Sequence, residues 1–137
     1  MTRKLTSLPL VGVGALGLCA ASVPSVPTVL SQVQPGIWEI NGVPGAAYPL
    51  PQCVPDIAVL ARFEHRGQTC TANLVRNSGA VAVINYRCGP AGFGNSEITV
   101  LTPRSIKIST QGISDGLPFN YVLQAHRVGD CAPAPRH

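Results

Sequence analysis

Five short runs between Cys70 and Cys131 decide how this chain folds: CTANLVR (residues 70–76), VAVINYRC (81–88), EITVL (97–101), SIKISTQGI (105–113) and PFNYVLQAHRVGDC (118–131). Each is rich in Val, Ile, Thr, Tyr or Phe, and turn-forming residues separate them. This pattern predicts an antiparallel meander. Asn77-Ser78-Gly79 turns the first hairpin. Thr102-Pro103 turns the next pair, Glu97–Leu101 with Arg104–Ile113. Asp115-Gly116 is a strong two-residue hairpin signal, and it leads into a last strand over Pro118–Val128. The segment GPAGFGNS (89–96) reads as a glycine-rich loop. A phosphate cradle needs a helix after such a loop, and strand residues follow here.

Working back towards the N-terminus, Pro35-Gly36 marks a turn, and Ile37–Asn41 alternates as a first strand. Trp38 and Ile40 share one face of it; Ile37 and Glu39 share the other. Trp38, the single tryptophan, reads as a core anchor, with a ligand-stacking platform as the alternative. Ala46–Leu50 can return as a short strand before Pro49, Pro51 and Pro55 break the pattern. DIAVLARFEHRG (56–67) reads as one amphipathic helix. Asp56 caps its start, Gly67 ends it, and His65 and Arg66 suit the dipole in its last turn. The expected fold is therefore mainly β (α+β). It is a curved antiparallel meander of about six to seven strands, a half-barrel or small barrel, with one short helix.

The 137 residues suit one domain, placed over 35–131. Arg3 and Lys4 precede an apolar run, Leu8–Val23, that closes on Ala20, Ala21 and Ser22. This is the pattern of a secretory signal peptide, and the expectation is cleavage of residues 1–21. The alternatives are an uncleaved anchor and lipid attachment at Cys19. Residues 22–34 read as an extended leader and 132–137 as a mobile tail. Without Arg3 and Lys4, eight basic residues face six acidic ones, a net charge of about +2. That is thin for a nucleic-acid partner, which calls for a dense basic patch.

If Cys19 leaves with the signal, Cys53, Cys70, Cys88 and Cys131 remain, an even set suited to an oxidising compartment. Three pairings are open. The favoured one is Cys53–Cys70, closing the helix segment, with Cys88–Cys131; the main rival joins Cys70 to Cys88 across a hairpin.

The segment PGIWE (35–39) resembles the P-G-L-W-E start of a widespread family of small secreted bacterial proteins, catalogued only as a domain of unknown function. RVGDC (127–131) resembles its closing R-x-G-x-C, and Cys53, Cys70 and Tyr86-Arg87-Cys88 fall where that family tends to place cysteines. The resemblance spans about residues 35–131. It implies export in a Gram-negative bacterium and a mostly β domain with disulfides. It implies no activity.

The titratable groups are few: Glu39, Asp56, Glu64, Glu97, Asp115, Asp130, His65, His126 and His137. They form no H-E-x-x-H, C-x-x-C or G-x-S-x-G pattern, and the cysteines are not spaced for zinc. The residues thus name no catalytic group, cofactor or metal ligand. The expected function is non-catalytic: an exported, monomeric periplasmic protein with an envelope-associated or protein-interaction role. A carrier of a small apolar ligand and an inhibitor of a secreted enzyme are the alternatives. No nucleic acid and no stable membrane span after signal removal are expected. The candidate contact surface is the loop 89–96 with Phe93 at its tip.

Overall fold

The computed structural model describes residues 28–132, together with Pro9, Leu10, Gly12 and Gly14. The signal peptide over 1–21 (those four residues apart), the lipidation alternative at Cys19, the first part of the leader and the tail from 133 onward lie outside the described residues.

Seven strands form one antiparallel sheet: β1 (Gly36–Asn41), β2 (Leu50–Val54), β3 (Thr71–Ser78), β4 (Val81–Arg87), β5 (Gly92–Thr102), β6 (Ser105–Ser114) and β7 (Leu117–Gly129). Their spatial order is β2-β1-β7-β6-β5-β4-β3. The last five make the expected meander. Asp115 and Gly116 both take positive φ, +49° and +80°, as a type I′ hairpin turn requires. The sheet does not close into a barrel: β2 and β3 stand at its two edges.

The first and last quoted motifs lie side by side. β1 pairs with β7, Ile37 opposite Gly129, and Arg127 Nε donates to the Pro35 carbonyl at 2.7 Å. A β-carbon at Gly36 would collide with the Gly129 carbonyl and the Arg127 guanidinium, so glycine is needed there.

One face of the sheet carries the core. Trp38, Ile40, Ile98, Ile108 and Leu123 are fully buried on it, under a 3₁₀ turn (Val29–Gln32) and the helix α1 (Ala58–Ala61). Trp38 is the core anchor, and its indole N–H donates to the Gln34 carbonyl at 3.1 Å.

Four expectations need correcting. The helix is not continuous over 56–67. Asp56 does cap the Ala58 amide at 3.0 Å, but α1 stops at Arg62, and a 3₁₀ turn follows at Phe63–His65. In an unbroken helix Glu64 would share the buried face of Leu60 and Ala61. The break turns Phe63 and His65 inward instead, both buried. The end of the leader is not free: Val29 and Val33 join the core, and the Val29 amide donates to Asn77 Oδ1 at 2.8 Å. The second strand is Leu50–Val54, not Ala46–Leu50. It accepts Pro51 because it is an edge strand, where proline's missing N–H costs no ladder bond. Finally, only Gly89–Ala91 of the glycine-rich segment is a turn, and β5 begins at Gly92. Glycines 92 and 94 serve close approach: β-carbons there would strike the Ile113 carbonyl and the Tyr86 hydroxyl respectively.

The favoured cysteine pairing is also replaced. The disulfides are Cys53–Cys131 and Cys70–Cys88. Cys53 on β2 and Cys70 before β3 belong to opposite edges of the sheet. Ile37 on β1 pairs with Cys53 on one side and Gly129 on the other, which brings Cys131 to Cys53. Thr71 opposite Arg87 sets Cys70 beside Cys88 at the open end of the β3–β4 hairpin.

Candidate functional site

Among the described residues, no helix or turn packs on the second face of the sheet over its β3–β7 half. A pocket of about 800 Å³ opens there, across five adjacent strands. Its floor follows from strand register. Asn73 on β3 is opposite Asn85 on β4, Asn85 opposite Asn95 on β5, Asn95 opposite Gln111 on β6, and Gln111 opposite Asn120 on β7. Five carboxamides therefore form one row perpendicular to the strands. With strands about 4.8 Å apart, the row is about 19 Å long.

The pleat holds the three central members outward. Asn85 lies between buried Ile84 and Tyr86, Asn95 between buried Gly94 and Ser96, and Gln111 follows buried Thr110. Asparagine is poorly suited to strand interiors, so strand propensity does not account for four of them in this row. Asn95 Nδ2 donates to Asn85 Oδ1. No side-chain partner is seen for Asn73, Gln111 or Asn120 among the described residues.

A second row borders the first: Thr71, Arg87, Phe93, Ile113 and Pro118, again in direct register. Phe93 is 48 % exposed, and the Arg87 guanidinium sits 6.0 Å from its ring centroid. Arg87 is the one charged side chain in the lining among the described residues. The pocket is thus nearly uncharged and mixed in polarity: a carboxamide row lies along its floor, and Phe93, Ile113, Pro118 and Phe119 give it apolar surface.

The floor is braced from below. Tyr86 packs under Gly94, and Phe119 approaches Gly112. His65, 2 % exposed, sits edge-on to both rings. Its Nε2 contacts the Ala91 carbonyl at 3.1 Å, and its Nδ1 contacts the Tyr86 hydroxyl at 3.2 Å. A carbonyl only accepts, so Nε2 carries the proton and Nδ1 accepts from Tyr86. Burial pushes the Tyr86 phenol up to about 12, and the nearby Glu64 charge adds to this. Tyr121 donates to Glu64 Oε2 at 2.8 Å. Burial, and then that bond, drive the Tyr121 phenol well above its ordinary range. Ser96 donates to the Ala61 carbonyl and accepts from Thr110, tying α1 to the sheet. These groups are structural ties.

The sequence singled out Phe93, and the structure puts it on the pocket rim, in a strand rather than at a loop tip. His65 and His126 are not brought together. His126 lies on the opposite face near the far end of the sheet, 3.2 Å from Glu39. The four cysteines are spent in disulfides. Among the described residues no group of three or more His, Cys, Asp or Glu could hold a metal ion, and no helix is long and apolar enough to cross a membrane. The carboxamide row was not found from the sequence, although Asp115-Gly116 fixes one step of it, Gln111 opposite Asn120.

Comparison of the chain with protein-family models, with curated proteins and with solved structures gave no match.

Proposed function

We propose that this protein is an exported, non-catalytic binding domain that holds a polar ligand on the β3–β7 half of its open sheet face. The observation that carries this function is the row Asn73–Asn85–Asn95–Gln111–Asn120 on the floor of an 800 Å³ pocket. Pockets of this size suit small-molecule or short-polymer ligands. Export is supported by the basic and apolar start of the sequence and by two disulfides, which persist in oxidising compartments. An apolar-ligand carrier draws less support, because the aliphatics pack together on the covered face while the pocket floor is carboxamide.

The side-chain NH₂ resonances of the five carboxamides test the binding function directly. The isotope-labelled protein is titrated with a panel of uncharged oligosaccharides and peptides. Asn73, Asn85, Asn95, Gln111 and Asn120 are expected to move together, while Asn41 and Gln124, elsewhere on the sheet, stay still. A panel that moves none of the five refutes a polar ligand at this face. Intact mass after expression in a bacterial host tests export. Loss of residues 1–21 and of four thiol hydrogens is expected; a full-length chain with free thiols refutes it.

A further inference from the structure

We infer that the ligand of this face is a neutral oligosaccharide, lying across the strands along the Asn73–Asn120 row with one sugar ring seated on Phe93; this rests on the binding function proposed above and names its ligand class. Three properties of the lining select that chemistry. The first is hydrogen-bonding type. A carboxamide offers both donors and an acceptor, and a sugar hydroxyl needs both. Asn85 keeps its NH₂ free because its oxygen is taken by Asn95, and Asn95 keeps its oxygen free for the same reason. Adjacent hydroxyls on one ring match that alternation of donor and acceptor.

The second is charge. Arg87 is the one charged side chain in the lining among the described residues. A polyphosphate backbone needs several cations to offset its own charge, and an acidic or basic peptide needs fixed counter-charges. A neutral polyol needs none. Phe93, half exposed beside Arg87, supplies the apolar plate on which the C–H face of a sugar ring rests.

The third is repeat length. The carboxamides recur at the strand spacing, about 4.8 Å, whereas side chains on one edge of an extended peptide recur every two residues, about 6.7 Å. A peptide laid along the row falls out of step after the second strand. A sugar ring in an extended chain advances by nearly one strand spacing, so successive rings meet successive carboxamides. The row is also pre-built. The Cys70–Cys88 bridge closes the β3–β4 hairpin at the pocket rim, and a rigid row loses little freedom on binding.

The exported, disulfide-bonded protein is titrated with linear neutral oligomers of glucose, mannose, galactose and N-acetylglucosamine of rising length, and in parallel with an uncharged extended peptide. Expected are saturable shifts of the five carboxamide signals by at least one oligomer series. Affinity should rise with each added sugar until the chain spans the row, then level off. Phe93→Ala is expected to weaken binding about tenfold and Gln111→Ala about fivefold. Lys107→Ala, on the same face outside the pocket, should leave it unchanged. Thermal melts confirm that the variants fold, and the length series on the parent protein stands without them. If the peptide moves the row and no sugar does, the oligosaccharide is overturned while a binding face survives. If neither moves it, both fall. Unchanged sugar affinity in Phe93→Ala overturns the ring seat.

Discussion

Asn95 and Asn85 face one another across β5 and β4, and the carboxamide of Asn95 donates to the oxygen of Asn85. This bond fixes which way both amides point. Asn85→Asp keeps the acceptor and removes the outward NH₂, so the variant separates ligand contact from fold. Unfolding free energy should stay within about 0.5 kcal/mol of the parent, as for an exposed substitution. Oligosaccharide affinity should fall about fivefold, the loss of one hydrogen bond. Paired urea melts and sugar titrations check both halves.

The two disulfides should differ in weight. Cys53–Cys131 spans a sequence separation of 78 and Cys70–Cys88 one of 18. Chain entropy gives about 4.5 and about 3 kcal/mol respectively, as upper values. Double serine variants compared by denaturant unfolding should keep that order. Loss of Cys70–Cys88 should also weaken ligand binding, because it loosens Thr71 and Asn73 at the rim. Loss of Cys53–Cys131, remote from the pocket, should not. Equal binding losses in the two variants would count against a pocket stapled at β3.

Gly94→Ala should cost about 1–3 kcal/mol, the usual penalty of overpacking. The added methyl meets the Tyr86 hydroxyl, which His65 and the floor of the pocket hold in place. Gly129→Ala is the control: nothing stands within 4 Å of its added carbon, so its melting temperature should hold or rise slightly.

Alkaline pH should unlock the floor through Tyr86. Its folded pKa lies near 12 against an ordinary 10. A phenol that holds its proton more tightly when folded contributes stability fully present below pH 10. That contribution is lost as pH rises from 10 towards 12, in all on the order of 2 kcal/mol. Tyr86→Phe should make this slope shallower in urea midpoints taken from pH 9 to 12, leaving the part that the raised Tyr121 phenol contributes. The same variant should cost about 1–2 kcal/mol at neutral pH, because His65 Nδ1 loses its donor.

The meander was legible because β-branched runs and turn residues alternate so regularly from Cys70 onward. Asp115-Gly116 even pinned a register, and with it Gln111 beside Asn120. The rest of the carboxamide row was hidden for two physical reasons. A bulge between Leu74 and Arg76 shifts β3 by one residue, so counting back from the Gly79 turn sets Asn73 opposite Tyr86 instead of Asn85. The glycines at 92 and 94 look like loop residues, yet they are where a neighbouring backbone and a tyrosine press against the strand. The disulfides were misassigned because no local pattern reveals that β1 lies between β2 and β7. The helix is shorter than its signals suggest: Asp56 caps its start, but it stops at Arg62, well before Gly67, and the separate turn that follows buries Phe63 and His65 rather than Glu64.

The pairing of β1 with β7 also governs when this domain can fold. Ile37 finds its second neighbour at Gly129, so the Trp38 strand lacks one side until almost the whole domain is present. Such long-range pairing raises contact order and slows folding. A chain that threads a translocation channel from its N-terminus gains from that delay. For the export proposed above, β1 could pair with β2 early, but its other side would wait for β7, so the sheet would close only once the last strand had followed.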